Sequence, residues 1–397
     1  MTEGAAPQLP RRPAFLDDPA LRSVLAAIPD ARIVGGAVRD ALAERPVTDI
    51  DLATPEEPQG IITALERAGI RAVPTGISHG TITAIIDGRG FEITTLRRDV
   101  QTDGRHAVVG FTSDWRADAA RRDFTINAMS MTTDAVVFDF FGGIADLRAG
   151  RVRFVGDPAT RIAEDRLRIL RFFRFAARYG RSAPDAATSA ALADAAPQLQ
   201  LLSPERVWGE LRRILAAPNP SDALALMGTL GVLDHVVVEG ADLAAMQRLL
   251  RTASPADPIL RLAALLGGDP DAFADRLRLS GAEREELLAL KRPPVPAPAD
   301  DDAALRRMLA DEPASLLIGR TWLRGEDDAA WSALRDRLAA MPRPLFPLAG
   351  RDALALGLAP GPQVGALLRQ VRAWWLAGGC VADAAACRAE LARLARG

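Results

Sequence analysis

The chain has 397 residues, 49% of them hydrophobic, a formal net charge of −2 and two cysteines. That length and apolar content can fill cores for two to four domains. The charge balance excludes a global basic field for nucleic acid, and the late pair Cys380 and Cys387 excludes a disulfide framework or a cysteine-built zinc site, which fits a reducing cytoplasm. No charge-free apolar run reaches membrane-spanning length, so no membrane association is expected. Lys291 is the only lysine, so any RNA or phosphate contact must come from local arginines, whose guanidinium forks suit bidentate phosphate binding.

In chain order, residues 1–12 read as a disordered lead-in and Asp17 to Ile28 as a first helix. The next stretch organises the rest. Ile33-Val34 is strand-forming, Gly35-Gly36 permits a sharp turn with close approach of a ligand to backbone N–H groups, and Ala37 to Ala43 has helical composition. Asp49-Ile50-Asp51-Leu52-Ala53-Thr54 reads as a second strand, with Asp49 and Asp51 on one face and Ile50 and Leu52 toward the core. Two adjacent carboxylates repel unless a cation lies between them, and hard oxygen ligands beside a phosphate-binding turn suit Mg²⁺. Metal-assisted phosphoryl or nucleotidyl transfer is the chemistry expected. Taken singly, a Gly-Gly turn only reverses a chain and an Asp-x-Asp pair often edges a strand.

Together and in this order, Gly-Gly-x-Val-Arg-Asp at 35–40 and Asp-x-Asp-x-x-Thr at 49–54 resemble the opening signature of DNA polymerase beta-like nucleotidyltransferases, in the branch of bacterial tRNA CCA-adding enzymes and poly(A) polymerases. The resemblance implies an α+β chain. A small mixed-sheet nucleotidyltransferase head over residues 1–147 would precede an all-α neck over 148–217, body over 218–292 and tail over 301–397. It also implies that Asp49 and Asp51 hold two Mg²⁺ ions and that Gly35, Gly36 and Arg39 bind the nucleotide through its phosphates.

Thr54-Pro55-Glu56-Glu57 has the form of a capping box, which predicts a helix to about Ala68. Thr81 to Ile86, the Asp87-Gly88 turn and Phe91 to Leu96 predict a hairpin extending the sheet. On its second strand Glu92 is a candidate third carboxylate, if that strand neighbours Asp49 and Asp51; the family's Glu-x-x-Thr-x-Arg strand matches it. Arg97 to Asp118 is polar, charged and without a clear period, and is expected to be a mobile loop of the kind that serves as a lid. In the CCA-adding enzymes the matching loop is needed for the final adenosine and is shortened in enzymes adding only two cytidines. Its full length here implies complete CCA addition.

Arg121-Arg122-Asp123-Phe124-Thr125-Ile126-Asn127-Ala128 resembles the family's segment almost verbatim. Near the phosphate turn, Arg122 would grip triphosphate oxygens and Asn127 would offer donor and acceptor to a sugar. The glycine turn at Asp139 to Leu147 is expected to hold the head against the segment C-terminal to it.

Asp157-Pro158 predicts the start of one long helix that contains Glu164 to Ala176, with Leu167, Leu170, Phe173 and Ala177 as its apolar stripe. Asp165 and Arg168, three apart, then share a face, and Arg171 and Arg174 continue a line of arginines. Spacing alone makes this an ordinary intrahelical ion pair. The resemblance to the family's Glu-Asp-x-x-Arg motif implies instead a protein template for the incoming base, with Arg171 and Arg174 on the rest of the nucleotide. An aspartate acceptor and an arginine donor match cytosine and adenine and leave uracil and guanine unpaired. Ser203-Pro204 predicts a capped helix, whose Ser-x-Glu-Arg segment is expected to support the template.

From Asn219 onward the chain is helical in period, broken by a Pro-rich linker at Arg292 to Asp300. In the family these regions grip the tRNA acceptor arm and elbow. The whole pattern implies a template-independent enzyme adding C, C and A to tRNA from CTP and ATP. A poly(A) polymerase, a CC-only enzyme and a non-catalytic RNA-binding protein are the alternatives.

Overall fold

The structure, a computed structural model, describes residues 5–8, 11–102 and 107–396, which fall into two compact units divided between Val236 and Val237. The first unit carries ten described strands: β1 (Ala5–Gln8), β2 (Arg32–Val34), β3 (Asp51–Thr54), β4 (Arg71–Gly76), β5 (Thr81–Ile86), β6 (Arg89–Thr95), β7 (Arg97–Thr102), β8 (Ala107–Phe111), β9 (Met129–Met131) and β10 (Val136–Asp139). Eight of them form one mixed sheet in the order β1-β10-β9-β2-β3-β6-β5-β4. Only β3 and β6 run parallel, with Asp51 opposite Glu92 and Leu52 opposite Ile93.

The alternation of apolar residues explains which face is covered. Ile33, Leu52, Ile82 and Ile93 are buried against Leu21 and Val24 of α1 (Pro19–Ala27), Val38 of α2 (Gly36–Leu42) and Ile61 and Leu65 of α3 (Pro58–Arg67). The β5–β6 hairpin turns through Asp87 (φ +50°) and Gly88 (φ +76°), the two positive φ angles that a two-residue hairpin requires.

Four sequence expectations need correction. Ala5–Gln8, expected to be disordered lead-in, is a strand on β10; residues 1–4 and 9–10 lie outside the described residues. Thr54 does not cap α3: it ends β3, its hydroxyl takes the N–H of Glu56, and the helix starts later, at Pro58 behind Glu57. Of the stretch from Arg97 to Asp118, expected as a loop, the described residues instead form the antiparallel ribbon β7–β8 followed by α4 (Trp115–Ala120), and residues 103–106 lie outside the described residues. Backbone pairing needs no apolar period, and the ribbon's base is closed by the Thr112 N–H on the Leu96 carbonyl and the Arg97 N–H on Asp118. Finally, the long helix is two. After α5 (Gly143–Ala149), α6 (Pro158–Glu164) stops at Asp165, whose backbone is extended (φ −150°, ψ 107°), and α7 (Arg168–Tyr179) starts afresh.

The remaining helices of this unit are α8 (Ala186–Ala195), α9 (Pro204–Leu215), α10 (Ser221–Thr229) and α11 (Val232–Val236). Ser203 stands at the α9 N-cap as expected, though its hydroxyl makes no capping bond. Asp139 caps α5 by accepting the N–H groups of Gly143 and Ile144, and buried Asp146 binds Thr125, Arg151 and Arg153, which ties the glycine turn to the 125–127 turn.

The second unit is helical among its described residues, from α12 (Leu243–Leu250), α13 (Pro258–Leu265), α14 (Pro270–Arg276) and α15 (Gly281–Leu290) to α16 (Asp302–Asp311), α17 (Ala314–Trp322) and α18 (Ala329–Ala340), then α19 (Gly350–Leu354), α20 (Pro362–Ala377) and α21 (Ala384–Arg396). Residues 292–300 contain no helix or strand, as the prolines predict. No helix among the described residues is long and apolar enough to cross a membrane.

Candidate nucleotide-binding site

β2 ends at Val34 and the chain reverses through Gly35 into α2. The φ of Gly35 is +66°, and a Cβ there would lie 3.1 Å from an Arg122 guanidinium nitrogen, so glycine serves both the turn and the approach of the cation. The sheet order then brings β3 beside β2 and β6 beside β3, placing Asp51 at the strand start and Glu92 level with it. Asp49 lies just before β3, not inside the strand, because pairing with β2 begins at Asp51.

Crowding by protein, ahead of the neighbouring charge of Glu92, raises the Asp51 carboxyl above the usual carboxylate range; Arg122 opposes this and Asp49 adds to it. Repulsion among carboxylates is what a cation relieves. Among the described residues no three His, Cys, Asp or Glu side chains are grouped to hold a metal ion, so Glu92 does not complete a closed triad with Asp49 and Asp51. Two carboxylates still fit Mg²⁺, which keeps waters and substrate phosphates in its shell and needs only one or two protein ligands.

Ten of the twelve expected residues line a single cavity of about 500 Å³: Gly35, Gly36, Arg39, Asp51, Arg122, Asn127, Asp165, Arg168, Arg171 and Arg174. Asp49 and Glu92 stand outside its lining. Arg121, Asp123, Leu167, Phe175 and Arg206 join the wall without having been singled out for it.

The pairings inside the cavity differ from those read by spacing. Because the backbone is extended at Asp165, its carboxylate turns to Arg206 of α9, 3.0 Å from both oxygens, and also accepts the Leu167 N–H. Arg168 instead spends one terminal nitrogen on Glu164 and on the Arg161 carbonyl. Asp165 and Arg168 therefore line the same cavity on separate supports and form no ion pair. Asn127 is partly committed: its carbonyl accepts from Arg39 at 2.6 Å and its amide donates to Asp123 at 3.0 Å, which uses one of the two lone pairs and one of the two N–H groups of the carboxamide. Burial pushes Asp123 up, but the charge of Arg171 and hydrogen bonds from Asn127, Arg171 and the Phe124 N–H hold it below the usual carboxylate range. Arg174 is the opposite case. Burial, helped by the like charges of Arg171 and Arg213 and only partly offset by Glu210, brings it down to about 10. An arginine so depressed gains from any anion that enters.

The chain matches the model of the poly A polymerase head domain over residues 31–153 and that of a probable RNA- and SrmB-binding site of polymerase A over residues 183–243. It is 36% identical to the mitochondrial CCA tRNA nucleotidyltransferase 1 of Danio rerio over 365 residues, covering 87% of this chain and 83% of that protein. The chain belongs to the CCA tRNA nucleotidyltransferase family. Another relative within it, the CCA-adding enzyme of Levilactobacillus brevis, is 31% identical over 88% of this chain and 90% of its own length. The Bacillus stearothermophilus CCA-adding enzyme, solved in complex with CTP, superimposes with a TM-score of 0.76 at 26% identity over 96% of this chain and 98% of that one. As a CCA tRNA nucleotidyltransferase family member the chain is a nucleotidyltransferase, and its α+β architecture is that of the solved relative.

Proposed function

We propose that this chain carries out the family's reaction in the cavity lined by α2, β3 and α7, adding C, C and A to the 3′ end of tRNA from CTP and ATP, with release of pyrophosphate and without a nucleic-acid template. The observation that carries the reading is the convergence, on one cavity, of a glycine turn, a β-strand carboxylate and the arginines of α7.

Asp49 and Asp51 would hold Mg²⁺, and Glu92, level with Asp51 on the neighbouring strand, would help orient or deprotonate the attacking hydroxyl; bound there, the ion would supply positive charge to the triphosphate and polarise that hydroxyl. Gly35 and Gly36 let the phosphates approach the backbone, and Arg39 and Arg122 meet their oxygens. Asp165 accepts from the exocyclic amine of cytosine or adenine and Arg168 donates to the adjacent ring nitrogen. Both are already held, by Arg206 and Glu164, so little ordering is left to do when the base arrives. Arg171 and Arg174 cover the remaining nucleotide surface. Asn127 would meet the sugar with the lone pair and the N–H that Arg39 and Asp123 leave over. The division into head, neck, body and tail, with body and tail gripping the tRNA acceptor arm and elbow, is part of the same proposal, as is a reducing cytoplasmic setting, supported by two unpaired cysteines.

The test is incorporation of each labelled nucleotide, with Mg²⁺, into tRNA transcripts ending at the discriminator base, after one C and after CC. Two cytidines, one adenosine and a halt are expected. A ladder of adenosines would mean poly(A) polymerase, and arrest after CC a CC-only enzyme.

A further inference from the structure

Asp40 closes the first motif, yet it has no task in binding phosphate, metal or base. It sits on α2 next to Arg39, and its carboxylate accepts from the Arg39 Nε at 3.2 Å and from a terminal nitrogen at 3.1 Å. The other terminal nitrogen of Arg39 donates to Asn127 at 2.6 Å, so all three guanidinium nitrogens are engaged. Asp40 in turn accepts the hydroxyl of Tyr179, the last residue of α7 and the only tyrosine in the chain. The Arg39 guanidinium lies over aromatic rings of the same helix, 4.6 Å from the Tyr179 centroid and 5.1 Å from that of Phe175. From Asn127 the hydrogen bonds run on through Asp123 to Arg171, back on α7. The loop is therefore closed: α7 grips Arg39 from its C-terminal end through Tyr179 and Asp40, and from its middle through Arg171, Asp123 and Asn127.

We infer that Asp40 and Tyr179 are positioning residues for nucleotide capture, fixing Arg39 so that its guanidinium meets the triphosphate without first having to be ordered. Arg39 is 91% buried yet lines the cavity, so a free rotamer search is not open to it, and a mis-set guanidinium would point its donors away from the phosphates. Fixing a long side chain in advance lowers the entropy cost of binding, an effect that appears in affinity and much less in the chemical step. Burial, together with the bond to Asp40, raises the Tyr179 hydroxyl above its ordinary range, so it stays a protonated donor wherever the enzyme works.

The inference rests on the assignment of Arg39 to the triphosphate, and a double-mutant cycle separates the two. In the full chain with Mg²⁺, CTP dissociation constants and steady-state kcat and KM on a tRNA ending at the discriminator base would be measured for wild type, Tyr179→Phe, Arg39→Ala and the double variant. Tyr179→Phe keeps the ring under Arg39 and removes only the hydroxyl, and Asp40→Asn is a second route to the same break. Either is expected to weaken CTP binding and raise KM about five- to tenfold, with kcat changed less than about twofold. In the Arg39→Ala background Tyr179→Phe should add nothing, because the group it positions has gone. Additive losses, or an equal fall in kcat with KM unmoved, would overturn the positioning role while leaving Arg39 on the phosphates. Unchanged CTP affinity in Arg39→Ala itself would overturn the phosphate assignment and the inference with it.

Discussion

Arginines do opposite work in the two units of this chain. In the second unit Arg320 is fully buried, and its three guanidinium nitrogens are all spent: on the Ala289 carbonyl at 3.0 and 2.8 Å, on the Pro294 carbonyl at 2.9 Å and on Glu312 at 2.6 Å. It fastens α15 and the proline-rich stretch to α17. Arg335 lies 3.5 Å over the Trp322 ring and pairs with Asp327, and Arg276 is clamped by both oxygens of Glu239. In the first unit Arg122, Arg168, Arg171 and Arg174 each have a carboxylate partner, yet all four line one cavity. Pairing therefore does not separate a structural arginine from a functional one. What separates them is where the guanidinium lies: an arginine sunk among backbone carbonyls is finished, whereas one that is buried at the wall of a void, as Arg174 is, is lowered first by its loss of water and then by the like charges of Arg171 and Arg213, and the void becomes a place for an anion.

The comparison breaks or holds on measurable differences. The largest effect belongs to the carboxylate facing the arginines: Asp51→Ala should lower nucleotide incorporation roughly a thousandfold or more while leaving CTP binding within about tenfold of wild type. A variant keeping a tenth of wild-type activity would sink the metal assignment. Next, Arg320→Met should lower unfolding stability by about 3 kcal/mol, since it strands two carbonyls and a partly buried carboxylate. At temperatures where that variant is folded its CTP affinity should be unchanged. A denaturation midpoint equal to wild type would remove the contrast on the structural side.

On the functional side, Arg168→Ala should cost about ten- to a hundredfold in preference for CTP over UTP, read from kcat/KM with each nucleotide. Unaltered selectivity would return Arg168 to its ion pair with Glu164. The smallest effect is alkaline. Arg174 is cationic below about 10 and neutral above it, so CTP affinity should fall a few fold as pH rises through that value. Arg174→Gln, lacking the titrating group, should start weaker and lose less over the same range. Equal slopes for the two proteins would show that Arg174 does not face the nucleotide.

Much of the site was legible before any fold was known, because the signals were local. The Gly35-Gly36 turn, the Asp-x-Asp strand start, the Asp87-Gly88 reversal and the run from Arg121 to Asn127 each state their backbone preference within a few residues. The helix break at Asp165 was not legible: the residues around it suit a helix, and the partner that its carboxylate meets once the backbone is extended, Arg206, is 41 positions away. The ribbon after Leu96 left one signal that its charged residues obscured, the β-branched Val108-Val109 pair. Tyr179 offered no local reason to be paired with Asp40, and only the packing of α7 against α2 joins them.

By itself, then, the sequence determined the class of the fold, the Gly35-Gly36 turn, the strand that carries Asp51 and the arginine-rich helix, since sterics, period and turn chemistry act over one to four residues. Tertiary structure alone decided which charge each functional side chain meets: Asp165 with Arg206, Arg168 with Glu164, Arg39 with Asp40 and Asn127. Ion pairs and hydrogen bonds fall off within a few ångströms, and proximity at that scale between residues tens of positions apart is set by how elements pack, not by their spacing along the chain.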